Sequence, residues 1–118
     1  MGSKDLVAAS AKTIILSLLL TGESYGYQII KRVRRVSGGA LEWSNAVLYP
    51  VLHKMEKDGL IRSEWRTSPE NRMRKYYMLT ERGSAELVEE KARWLGIQTA
   101  LRRLLGPAAA DRLPARGE

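Results

Sequence analysis

Cysteine is absent from the chain, which excludes a disulfide framework, a thiolate zinc site and a cysteine nucleophile. Histidine is nearly absent too: His53 stands alone, and one histidine makes no zinc site without carboxylate help. Long apolar runs are also missing. The longest, Ile14 to Leu20, is interrupted by Ser17 and falls far short of the roughly 20 residues that a membrane span needs. The opening residues lack the basic, apolar and small-residue order of a secretory leader, so a cytoplasmic protein is expected. No P-loop or dinucleotide fingerprint occurs, and no cofactor or metal is expected. Gly22-Glu23-Ser24-Tyr25-Gly26 does match the G-x-S-x-G nucleophile elbow. A hydrolase of that type needs a large parallel sheet and a histidine base later in the chain, and no series of buried strands is available. The match is read as accidental and the protein as no enzyme.

What remains is positive charge on a small amphipathic chain. The 118 residues suffice for one compact core plus an appendage. Twenty Lys and Arg face 13 Asp and Glu, a net charge of +7 that suits a polyanionic partner, with double-stranded DNA the leading candidate. Charge alone is weak ground, because many domains carry it as a solvated face.

Helical periodicity runs from Asp5 to Leu20 with apolar residues on most sides, as in a helix buried on most sides. Gly22-Glu23-Ser24 breaks it, and Ser24 is expected to cap a second helix in which Gly26, Ile29, Ile30, Val33 and Val36 recur on one apolar face. Its other face holds Lys31, Arg32, Arg34 and Arg35, set in water or against phosphate. Ser37-Gly38-Gly39 supplies a stop. A third helix is expected to start at Ser44 as N-cap, with Leu48, Val51, Leu52 and Met55 inward and Asp58-Gly59 as its end. Pro50 lacks an N–H and costs about 3 kcal/mol inside a helix, which predicts a local kink. Ile61 to Thr67 and Arg74 to Leu79 alternate with period two and read as a hairpin. That hairpin holds Arg62, Arg66, Arg72, Arg74 and Lys75 against Glu64 and Glu70, a local net charge of +3. Thr80 is expected to cap a last helix reaching Leu105, where Gly106-Pro107 stops it.

The order predicts a mainly α fold with a two-stranded β wing: a winged helix-turn-helix over residues 1–80, a dimerisation helix over 81–106 and a disordered tail over 107–118. In a helix-turn-helix the second helix of the pair enters the major groove, where base edges are distinguishable. The candidate DNA-binding residues are therefore Ser44, Asn45 and Tyr49 near the start of the third helix, with Arg72, Arg74 and Lys75 on the wing. Leu87, Trp94 and Leu101 recur every seven residues, with Ile97 and Leu104 beside them, a seam that wants a partner helix and so a homodimer. Trp43 and Trp65 read as core or hairpin packing.

Three blocks, Tyr25-Gly26-Tyr27-Gln28-Ile29-Ile30, then Leu48 through Ile61 beginning Leu-Tyr-Pro, then Arg74-Lys75-Tyr76-Tyr77 through Gly83, are together similar to PadR-family transcriptional regulators. The resemblance covers about residues 5 to 105. It implies a bacterial cytoplasmic homodimer, nucleoid-associated when bound, usually a repressor, that dimerises through one long C-terminal helix and touches DNA with Tyr49 and the wing cations. Many members carry Gly-Thr before the Leu-Tyr pair, where this chain has Ala46-Val47 and lacks that hydroxyl. Multidrug-responsive relatives place a tryptophan where Trp94 falls, with the N-terminal helix as the opposite wall of an effector pocket, a wall that Leu6, Ala9 and Thr13 would supply here. Trp94 then has two readings, a residue that glues the dimer or a platform for an aromatic or cationic small-molecule effector. The rival functions are a winged-helix protein interaction module and a small-molecule binding protein with residual DNA affinity.

Overall fold

The structure, a computed structural model, describes residues 3–106, with side chains from residue 10 onward. The tail over 107–118 and the Leu6 and Ala9 side chains lie outside the described residues. Four helices and a small antiparallel sheet follow in the order α1 (Ser3–Leu20), β1 (Ser24–Tyr25), α2 (Gly26–Val36), α3 (Asn45–Lys57), β2 (Ile61–Thr67), β3 (Met73–Leu79) and α4 (Glu81–Leu104). Among the described residues no helix is long and apolar enough to cross a membrane. The chain divides into two compact units after Leu87. The first two turns of α4 thus go with the first unit, a boundary later than the residue-80 division expected from the sequence.

The core of the first unit forms where the apolar stripes converge. Ala11, Ile15, Leu16, Leu18 and Leu19 of α1 meet Ile29 and Val33 of α2 and Leu48, Leu52 and Met55 of α3. Ile61, Tyr77 and Leu87 complete the cluster, and Trp43 packs into it from the α2–α3 connection. Truncating Leu52, which is fully buried, removes packing of the kind worth roughly 2–5 kcal/mol. The stops act as their glycines require. Gly38 and Gly59 take φ of +63° and +78°, and Gly39 and Leu60 donate backbone N–H groups to Arg34 O and Met55 O at 2.8 and 2.9 Å. Thr80 caps α4, its Oγ1 accepting from the Gly83 N–H at 3.0 Å. α3 runs through Pro50 without interruption, so the expected local kink does not break the helix.

Two expectations are corrected. Ser24 does not cap α2: it lies in β1, fully buried, and its hydroxyl donates to Gln28 Oε1 at 2.7 Å. Tyr25 precedes the first helical residue instead. The hairpin is not an isolated pair either, because β1 adds a third strand in the order β1-β3-β2, with Ser24 opposite Tyr77 and Tyr25 opposite Tyr76. A strand of two residues has no period to read, which is why it is invisible in the sequence. The hairpin register pairs Ile61 with Leu79, Ser63 with Tyr77, Trp65 with Lys75 and Thr67 with Met73.

Candidate nucleic-acid interface

α3 is buried on one side only. Leu48, Leu52 and Met55 face the core, while Asn45, Tyr49, His53 and Lys57, spaced four apart, are all exposed. Residues at i and i+4 lie one above another on a helix, so these form one outward ridge. Ser44 precedes the ridge in extended conformation, and its hydroxyl makes no capping hydrogen bond. Short polar side chains and uncapped N–H groups at a helix start are what phosphates and base edges accept.

Tyr49 is held at a defined place on that ridge. It is 39% exposed, yet its hydroxyl rests against the start of α2, where a Cβ on Gly26 would collide with it. Glycine at position 26 is what lets the two helices come so close. Tyr77 lies just beneath, and burial pushes its phenol up to about 12, with Tyr49 and Glu56 adding to the shift. It therefore stays neutral at physiological pH.

A cleft of about 620 Å³ opens between this ridge and the hairpin. Tyr27, Tyr49 and His53 line one side, and Trp65, Arg72 and Lys75 the other, with no Asp or Glu among the described lining residues. The hairpin cations expected to bind DNA are not equivalent. Arg72 stands exposed at the loop and Lys75 sits in the cleft above the Tyr77 ring, 5.7 Å from its centroid. Arg74 is spoken for: it lies 3.3 Å from Glu70 and 4.2 Å above the Tyr25 ring, with its side chain 24% exposed.

The opposite face of the hairpin carries a different network. Both oxygens of Glu23 accept from the Arg66 guanidinium, which also stacks on Tyr76 at 4.6 Å and lies 2.8 Å from Glu64. Tyr25 meets Tyr76 edge-on at 5.5 Å. The Arg66 hydrogen bonds hold the Glu23 carboxyl below its ordinary value of 4.5. Arg62 and Arg66 are thereby paired with Glu64 and Glu23, and Arg74 with Glu70, so the hairpin's excess positive charge rests on Arg72 and Lys75.

Sequence reasoning misplaced Trp65 and assigned no part in the interface to Met73, His53 or Tyr27. Trp65 is 62% exposed and does not pack in the core, whereas Trp43 does. The signal was the register: once Thr67 is opposite Met73, Trp65 must share a face with Lys75. On α4, Trp94, Ile97, Leu101 and Leu104 leave 39, 51, 50 and 70% of their surface exposed and follow one another at spacings of three and four. Leu87 departs from that seam: at 9% exposure it belongs to the core of the first unit, because the turn containing Gly83 is drawn against the Leu60 carbonyl. Thr13 is partly buried on α1.

Three helices, a hairpin beside the third and a further helix after it are the arrangement of a winged helix-turn-helix regulator. Residues 15–89 match the transcriptional regulator PadR-like family. The chain belongs to the PadR family of transcriptional regulators. Similar solved structures include a transcriptional regulator from Clostridium thermocellum, 29% identical with a TM-score of 0.76, over 86% of this chain and 98% of that one. A PadR family regulator from hypervirulent Clostridium difficile is 33% identical, with a TM-score of 0.69, over 80% of this chain and 97% of that one. Bacillus subtilis PadR, solved in complex with operator DNA, is 30% identical with a TM-score of 0.62, over 73% of this chain and 46% of that one.

Proposed function

We propose that this protein is a homodimeric repressor that holds a pseudo-palindromic operator through α3 and the β2–β3 wing of each subunit and is released by a small-molecule effector at the dimer interface. The observation that carries the DNA half is the outward ridge of Asn45, Tyr49 and His53 beside a cleft lined by cations and, among the described residues, by no carboxylate. A ridge of short polar and aromatic side chains suits the major groove, while Arg72 and Lys75 neutralise flanking phosphates. Ser44 and Asn45 sit where the helix start meets the backbone, and Arg74 contributes by bracing the wing.

The dimer half rests on the exposed apolar stripe of α4. Four large side chains left in water along one helix favour burial against an equivalent helix. Two Trp94 side chains brought together there form a platform on which a flat aromatic or cationic compound stacks. Such a compound shifts the operator equilibrium only by preferring one arrangement of the two subunits.

A salt titration of operator binding tests the first half. The logarithm of affinity is expected to fall linearly with the logarithm of salt concentration, and replacing Arg72 and Lys75 together by Ala to make that slope about two units shallower. Affinity indifferent to salt overturns the reading. Quenching of tryptophan fluorescence by aromatic cations, lost in W94A, tests the second.

A further inference from the structure

We propose that Trp65 and Met73 form an apolar blade on the wing that packs into the minor groove beside the operator half-site, so that part of the sequence preference is read there without base-specific hydrogen bonds. The inference rests on the DNA-binding reading and adds to it a contact of a different kind, apolar where the other contacts are ionic or polar. Its occupant is the sugar wall and floor of the DNA minor groove.

The register places the blade. Ile61, Ser63, Trp65 and Thr67 of β2 share one face with Leu79, Tyr77, Lys75 and Met73 of β3. The inner half of that face is core, with Ile61 and Tyr77 at 1 and 2% exposure. The outer half continues past the core into open water, where Trp65 and Met73 are 62 and 61% exposed. Trp65 and Met73 are diagonal neighbours across the strands, about 7–8 Å apart and within reach of each other for side chains of this length. Both line the cleft that Tyr49 and His53 line from α3, so the blade lies on the side of the hairpin that would meet the same duplex.

Charge selects the occupant. A protein partner's rim mixes charges of both signs, but the cations Arg72 and Lys75 flank the blade and no described carboxylate lines the cleft to balance them. A polyanion with an apolar interior is the complement, and the minor groove, phosphates at its edges and deoxyribose on its walls, has that profile. Proteins that enter this groove press apolar side chains against or between base steps, and A·T-rich steps admit them more readily than steps carrying the guanine amino group.

The test uses the full-length chain and a duplex selected from random sequence by the wild-type protein. W65A and M73A, both surface changes, are expected to keep the wild-type melting temperature. Each should bind DNA about tenfold more weakly with an unchanged salt slope, whereas K75A flattens the slope by about one unit. W65F should retain most of the affinity. Flanks of A·T or inosine·cytosine, which both lack the minor-groove amino group, should bind the wild type alike and more tightly than G·C flanks, and W65A should lose that preference. If W65A and W65F both hold DNA as tightly as the wild type, or the wild type is blind to the flanks, the blade proposal is overturned while DNA binding stands. A wild-type protein that selects no duplex at all overturns the parent reading, and the blade with it.

Discussion

Gly26 shows how much a missing side chain decides. Its hydrogen leaves room for the Tyr49 hydroxyl, so G26A must displace a ring that is only partly buried. Because that ring can swing toward solvent, the stability cost should stay near 1 kcal/mol in urea unfolding, at the low end for overpacking. DNA affinity should suffer more, by about tenfold in a gel shift. In a Y49A background the same change should cost nothing further, since the collision has no partner. The tyrosine itself was legible in the sequence, next to Leu48 of the apolar stripe and off its line. Gly26 was not, because it sat inside that other apolar pattern and its neighbour is distant in the chain. Trp65 fared worse: a tryptophan in a strand reads as packing until the register fixes which of its neighbours are core.

At the scale of elements, the helices were readable because each carries one period and a chemical stop. Ser37-Gly38-Gly39, Asp58-Gly59 and Thr80 all do what their chemistry demands. β1 was not readable, and it changes how the wing is held. Its pairing with β3, with the Glu23 carboxylate clasping Arg66 on the far face, ties the start of α2 to the hairpin. The clasp is pH-dependent. Glu23 titrates below 4.5 in the folded chain, so its contribution is complete above that value and drains away as pH falls through the depressed one. Melting temperatures followed from about pH 6 to about pH 3 should therefore drop less steeply in E23Q than in the wild type. Parallel curves would mean that the clasp contributes nothing to stability, as exposed ion pairs often do not.

For the whole molecule, the expected consequence of the α4 stripe is association. I97E and L101E each place a carboxylate in the middle of that stripe, on side chains half exposed in the single subunit. Sedimentation should show the wild type as a dimer and both variants as monomers, with cooperative unfolding of the winged helix retained. Operator affinity should fall by about 10² or more, since two half-sites are no longer gripped by linked readers. A monomeric wild type would remove the dimer from the proposal. Here the sequence showed the seam but not its start. Leu87 has the right spacing and the wrong neighbours, because heptad counting has no means of seeing Gly83 draw the first turns of α4 into another core.

The sheet order leaves one more consequence. β1 reaches only Tyr25, so β3 from Met73 to Lys75 and the whole outer side of β2 have backbone groups that no strand satisfies among the described residues. Exposed edges of this kind invite other chains to add to them, and fibrous aggregation is the hazard. The same alternation that sets Trp65 toward the cleft sets Arg62, Glu64 and Arg66 along the opposite face of β2. A foreign strand laying itself there would have to pass three charges. The hairpin's polar face thus guards solubility, which leaves its other face free to carry an exposed tryptophan.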